Sequence, residues 1–225
     1  MMNKMNLDQI AKNLNLNDEC LREMLQACGI EAHENAVTLT ETMQLMRYAK
    51  EHRDDRERKS CEYLAMACSR SSIFIDTCEL LHEQFPTLLE RLTPLLRQNE
   101  KKLMIPSGVE NELKALFFKN EELREKIGSV MELLEKKEQE GIVAVCGREG
   151  ETFADQQMLS IATGALLSDT TLIITRDNAL SEDVLKLNQL ASVQGKRVVV
   201  NRINRYGYLS RYIPRAEREA AVTAA

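Results

Sequence analysis

Asp76 closes the run Ser72-Ile73-Phe74-Ile75-Asp76, a carboxylate set directly after three apolar residues. An ionised carboxylate beside an apolar strand is costly without a partner or a cation. Three more acids follow: Glu112 in Pro106-Ser107-Gly108-Val109-Glu110-Asn111-Glu112-Leu113, Asp155 in Ala154-Asp155-Gln156-Gln157, and Asp177 in Thr175-Arg176-Asp177-Asn178. Oxygen donors gathered in one place are what hard divalent cations take. Each acid also has a plainer reading. Asp76 and Asp177 are placed to cap the helices that follow them. Ser107 with Glu110 matches a capping box, and Thr152 with Asp155 resembles one. Glu110 thus has a structural job, whereas Glu112 lies roughly 200° round the helix from it; its plain alternative is solvent exposure.

The elements that must position these acids are short β-rich runs alternating with amphipathic stretches. The runs are 72–76, 103–106, 142–145, 172–175 and 197–200; the helical stretches lie near 79–100, 107–138, 154–167 and 179–194. Short apolar strands separated by helices predict a parallel sheet covered on both faces. Right-handed crossovers make it a doubly wound, five-stranded α/β domain. Ligands of such sheets gather at the carboxyl ends of the strands, where strand order reverses. All four acids follow a strand.

In this order and spacing, Ile-Phe-Ile-Asp-Thr-Cys (73–78), Ile-Pro-Ser-Gly-Val-Glu-Asn-Glu-Leu (105–113), Ala-Asp-Gln-Gln-Met-Leu-Ser-Ile-Ala (154–162) and Ile-Thr-Arg-Asp (174–177) resemble the PIN-domain family of metal-dependent nucleases. The resemblance runs from about Ser72 to Asn201 and implies a PIN-like fold. It matches Asp76, Glu112, Asp155 and Asp177 to the family's acidic, metal-holding and catalytic quartet, and Thr175 to its small polar companion. Glu112 is chosen over Glu110 because it directly precedes Leu113. The implied cofactor is Mg²⁺ or Mn²⁺, one or two ions. The implied reaction is hydrolysis of a phosphodiester, leaving a 5′-phosphate and a 3′-hydroxyl, and single-stranded RNA is the favoured substrate. The stretches after Asp76 and over 107–138 are longer than the family minimum.

Substrate contacts are expected from Thr175, Arg176, Arg202, Arg205 and Tyr206. The last thirty residues interleave Lys196, Arg197, Arg202, Arg205, Arg211, Arg215 and Arg218 with Tyr206, Tyr208 and Tyr212. Arginines contact phosphates and tyrosines stack on unpaired bases. The alternative is that the tyrosines pack on the body.

Residues 1–60 form a separate small helical module, with 61–225 as the larger domain. Leu7, Ile10, Ala11 and Leu14 fit one helix; Cys20, Leu21, Met24, Leu25 and Cys28 fit a second, stopped by Gly29. Asn17 or Asp18 is placed to cap the second, with Asn15 in the left-handed turn. Val37 to Thr40 reads as a strand, Thr40-Glu41 opens a further helix, and that helix is expected to run from Thr42 to Ser69. The segment resembles a helix-turn-helix, and also the small N-terminal module of bacterial translation initiation factor two. The latter implies docking on a ribosome, RNA or protein partner. Nine basic residues against eleven acids in 1–60 leave no evident basic recognition face.

A net charge of −5 argues against a non-specific polyanion binder. A metal-dependent nuclease escapes that objection because cations neutralise its acids. The six cysteines form no C-x-x-C pair and read as reduced core thiols. With no apolar leader and no long apolar window, the expected location is cytoplasmic, without membrane contact; homo-oligomers are allowed. The enzyme rival, a phosphatase of the haloacid-dehalogenase type, wants a second acid where Cys78 stands. The non-enzymatic rival is a PIN-like fold kept for binding nucleic acid or a regulatory partner. A receiver-like domain lacks a lysine after the fifth strand.

Overall fold

The computed structural model describes residues 4–14, 18–32, 35–147, 154–190 and 195–214. The chain separates into two compact units, Met1–Ser60 and Cys61–Ala225.

In the first unit, β1 (Lys4–Asn6) pairs antiparallel with β2 (Ala36–Thr38), Met5 opposite Val37. Three helices accompany this ribbon: α1 (Leu7–Asn13), α2 (Asp18–Cys28) and α3 (Leu39–Glu51). Ile10, Leu21, Met24, Val37 and Leu45 fill the core, so the apolar spacing of both short helices was a true guide. The unit is not purely helical, because β1 finds its partner some thirty residues away, beyond the reach of local pattern. Gly29 ends α2 in the left-handed region, at φ 63. Asn15, expected in the left-handed turn, and Asn17, one of the two candidate caps, lie outside the described residues. The cap of α3 is Thr38 rather than Thr40. Its hydroxyl accepts from Glu41 N–H at 3.3 Å, while Glu41 Oε2 accepts from Thr38 N–H at 2.7 Å. The helix expected from Thr42 to Ser69 is two helices: α3 ends at His52, whose ring stacks on Tyr48, and α4 (Arg53–Arg70) follows.

The second unit is mixed α/β around a six-stranded sheet of order β5-β4-β3-β6-β7-β8. Five strands are parallel: β3 (Ser71–Ile75), β4 (Leu103–Pro106), β5 (Val143–Cys146), β6 (Thr170–Ile174) and β7 (Val198–Ile203). The sixth, β8 (Leu209–Arg211), pairs antiparallel with β7 at the edge. Successive residues of β3 and β6 point to opposite faces and are buried, so helices cover both sides of the sheet's centre.

Two of the expected helical stretches are broken. The stretch after Asp76 is α5 (Thr77–Leu80) and then α6 (Phe85–Gln98), which opens at Phe85-Pro86 where proline's missing N–H does no harm. The stretch 107–138 is α7 (Ser107–Lys119) and α8 (Arg124–Gln139). Asn120 is extended there, and its side chain accepts from the N–H groups of Glu122 and Leu123. α9 (Ala154–Ala165) and α10 (Asn178–Lys186) complete the helices, with a 3-10 turn at Leu187–Gln189. Phe85, Leu88, Leu92, Leu103, Val109, Ile127, Ile173 and Val184 are among the buried core.

The sheet is six-stranded and not all parallel, which corrects the five-stranded expectation. β7 runs on to Ile203, and the turn after it returns the chain as β8. Asn204 Oδ1 accepts from Tyr206 and Tyr208 N–H, and Gly207 turns at φ 70. Turn chemistry of this kind was hidden inside a run read as a basic tail. No helix among the described residues is long and apolar enough to cross a membrane.

Candidate functional site

Strand order reverses beside β3: β4 and β5 lie to one side, β6 and β7 to the other. The crevice at such a reversal lies beyond the carboxyl ends of the strands. β3 delivers Asp76 there and β6 delivers Thr175 and Asp177, because Ile75 pairs with Ile174 in register. Asp76 is 6% exposed and surrounded by donors. Its Oδ1 accepts from Thr77 N–H at 2.8 Å; its Oδ2 accepts from the fully buried Thr175 hydroxyl at 2.8 Å and from the Cys78 thiol at 3.0 Å. Asp76 therefore caps α5 and also stays poised at the crevice.

Thr77 extends the set. Its hydroxyl donates to Glu112 Oε2 at 2.5 Å, tying α7 to the end of β3. Asp177 N–H donates to Thr175 Oγ1 at 3.1 Å, and Asp177 Oδ1 accepts from Leu180 N–H at 2.9 Å, capping α10. Glu112, Thr77, Asp76, Thr175 and Asp177 thus form one chain of contacts. Asp155, on the first turn of α9, is an exposed residue whose carboxyl is nonetheless partly shielded from water, and that partial desolvation with repulsion from Asp76, Asp177, Glu112 and Asp183 raises it above the ordinary range. That mutual repulsion ties Asp155 electrostatically to the other three acids.

Among the described residues, no group of three or more His, Cys, Asp and Glu side chains stands as a metal-holding set. Asp76, Glu112 and Asp177 are each engaged in hydrogen bonds. The donor type is right for a hard cation, since all four are carboxylates, and their repulsion is what a cation relieves. Asp76, Glu112, Asp155 and Asp177 supply oxygen donors of that type, although the described residues do not gather three of them into one metal-holding set.

The capping box proposed at Ser107 does not form. Pro106 is the N-cap of α7, Glu110 instead pairs with Lys114 at 2.5 Å, and the Ser107 hydroxyl accepts from Gln157 Nε2 at 2.7 Å. Gln157 is 2% exposed and its Oε1 accepts from Gly108 N–H at 2.6 Å. A Cβ at Gly108 would come within 3.0 Å of the Ala154 backbone, so glycine is what admits α9 here. This bridge fastens the turn carrying Asp155 to the helix carrying Glu112. Thr152 lies outside the described residues.

The substrate side is only partly as expected. Tyr208 and Tyr212 are buried: Arg91 lies over the Tyr208 ring at 3.8 Å, and Tyr212 OH donates to Glu182 at 2.7 Å. Tyr206 remains exposed at the tip of the β7–β8 turn, with Arg205 over its ring at 5.0 Å. Arg91 holds that turn through the carbonyls of Tyr206 and Gly207. Arg202 donates to Asn178 Oδ1 at 2.6 Å and lies over Tyr212. Arg176 donates to Ile203 O at 2.8 Å and is half exposed. Lys196 donates to Leu167 O at 2.6 Å, while Arg215 and Arg218 lie outside the described residues.

Four residues of the site went unread in the sequence: Thr77, Cys78, Glu79 and Gln157. Cys78 had been weighed only as an absent acid and, with the other cysteines, as a core thiol. It and Cys61 are exposed residues, not core, whereas Cys68 is buried. The Cys78 thiol itself sits among protein atoms; that burial and the adjacent Asp76 push it up to about 12. It is therefore a protonated donor to Asp76 at neutral pH.

Comparison of the chain with protein-family models and with curated proteins finds no match.

Proposed function

We propose that the second unit is a PIN-like, divalent-metal-dependent nuclease that hydrolyses phosphodiester bonds of single-stranded RNA. One observation carries the reading: Asp76 and Asp177 stand at the ends of β3 and β6 beside the strand reversal, Thr77 ties Glu112 to the same end, and burial together with repulsion from these three acids raises the Asp155 carboxyl. Mutually repelling carboxylates at a ligand-binding crevice are costly for stability and make sense as a cation site.

Asp76, Glu112, Asp155 and Asp177 would hold Mg²⁺ or Mn²⁺, which would activate water and steady the leaving oxygen. The protein's own part is positional. Thr175 and Thr77 orient Asp76 and Glu112 through their hydroxyls, and the neutral Cys78 thiol adds a donor without adding charge. Arg176, Arg205 and Tyr206 would meet phosphate and base, with Arg202 behind them. The first unit is read as a docking module for a ribosome or protein partner; Leu39, Met43 and Met46 lie along one face of α3 and are exposed. A cytoplasmic setting suits this reading.

The test is cleavage of labelled single-stranded RNA and DNA with Mn²⁺, Mg²⁺ or EDTA, comparing wild type with Asp76→Asn. Metal-dependent cutting that disappears in the variant supports the nuclease. A folded wild type that cuts none of them favours a non-catalytic binding protein, and equal cutting by the variant means the site is elsewhere.

A further inference from the structure

Glu79 lies one turn beyond Asp76, in α5, and its side chain is 0% exposed. Neither carboxylate oxygen has a hydrogen-bond partner among the described residues. Among the described residues it pairs with Arg176, whose Nε stands 3.4 Å from Oε1. Burial raises the Glu79 carboxyl above its ordinary range, against the pull of Arg176, the Ile203 backbone and Arg202. A carboxylate taken from water with so few compensating bonds is weak as a stabilising device, because its desolvation offsets most of the attraction.

The partner of this carboxylate is what gives it a purpose. Arg176 sits between Thr175 and Asp177, and its backbone N–H donates to the Cys78 sulfur at 3.1 Å. Its guanidinium is held on the inner side by Glu79 and by Ile203 O, while 46% of the side chain stays open to solvent. An arginine fixed by part of its five-donor fork keeps the rest for a planar, bidentate anion contact. The reversal point of the sheet lies next to it.

We propose that Glu79 is a positioning residue: its buried carboxylate holds Arg176 so that the remaining guanidinium N–H groups take a phosphodiester oxygen of the substrate. This rests on the nuclease reading of the same crevice. It also reverses a simple expectation. Removing a negative charge near a polyanion site should tighten binding if the charge acts only through the field; removing a charge that positions Arg176 should weaken it.

The experiment measures binding of a labelled single-stranded oligoribonucleotide to the full chain across a salt series, with Ca²⁺ replacing Mg²⁺ to suppress cutting, and steady-state cleavage with Mn²⁺. The variants are Arg176→Ala, Glu79→Met, Glu79→Gln and the Glu79→Met/Arg176→Ala pair. Loss of the Arg176 contact is expected to weaken binding about 10-fold and lower the salt slope by about one phosphate. Glu79→Met should reproduce both effects, with the loss in KM, and the pair should lose no more than Arg176→Ala alone. Its melting temperature should equal or exceed that of wild type. If the Met variant does not fold, Glu79→Gln, similar in shape and uncharged, carries the same test. Binding unchanged or tightened by Glu79→Met or Gln, beside a weakened Arg176→Ala, overturns the assignment, as do additive losses. A wild type that neither binds nor cuts the RNA overturns the nuclease reading and this one with it.

Discussion

The two ends of α5 each bury a carboxylate, and they do so by opposite means. At one end Asp76 accepts from a backbone N–H, a hydroxyl and a thiol. At the other, neither Glu79 oxygen has a well-formed hydrogen-bond partner among the described residues, and the carboxylate relies on a guanidinium 3.4 Å away and on the pull of the Ile203 backbone. Hydrogen bonds satisfy a buried carboxylate where the chain puts it, at modest net gain in stability. A bare ion pair in the interior does little for stability but fixes where the cation's other donors point. The first end is built to keep a charge; the second is built to aim one.

Predictions that bear on this contrast run from chemistry to small stability changes. Largest is Asp76→Asn, which should reduce the initial rate of Mn²⁺-dependent RNA cleavage by about 10³-fold or more, as loss of a metal-holding carboxylate does. Retained cutting would remove the distinction between the two ends, since neither carboxylate would then serve the reaction.

Next comes Gln157→Ala, which leaves Gly108 N–H without its acceptor in a buried place. Urea unfolding should show a loss of about 2 kcal/mol. A loss near zero would mean that the bridge between α7 and α9 is not needed to hold Asp155 near Glu112.

Thr175→Val keeps the shape of a fully buried side chain and strips Asp76 of its hydroxyl donor. It should cost about 1–2 kcal/mol in the same measurement, whereas Glu79→Met should cost nothing. Equal losses from the two would erase the contrast.

The smallest effect has the opposite sign. Asp155 is repelled by its neighbours, so Asp155→Asn should raise the metal-free melting temperature by about 1–2 °C at pH 7. The sign follows from a folded-state pKa raised above the ordinary aspartate value of 3.8: the penalty is absent below that value, grows as pH rises through the raised pKa, and is constant above. The gain should therefore fade as calorimetry is repeated at falling pH. With Mg²⁺ added, wild type should recover most of the difference and the variant should not.

The outcome at individual residues shows what can be read from a chain and what cannot. Ile73-Phe74-Ile75 and Leu172-Ile173-Ile174 announced buried strands because both faces are apolar, and Asp76 and Asp177 announced themselves by following them. The helix breaks at His52 and Asn120 were not legible: the charged run 50–59 has no apolar pattern whose interruption could mark a break, and apolar periodicity continues across Asn120. Cys78 and Glu79 were invisible for a different reason. A thiol or carboxylate two or three residues into a helix carries no mark of the neighbour it will meet almost a hundred residues later.

Local sequence determined the parallel strands, most helix positions and which acids would stand at strand ends, because periodicity, apolar runs and strand-to-helix turns depend on near neighbours. Tertiary structure alone decided the partners. It gave β1 a distant companion, turned the Tyr206–Gly207 region into the return to β8, and buried Tyr208 and Tyr212 instead of offering them to bases. It also set Thr175 against Asp76, Thr77 against Glu112, Gln157 against Ser107 and Arg176 against Glu79. These pairings depend on which strand lies beside which, and sheet order is a property of the whole domain rather than of any segment in it.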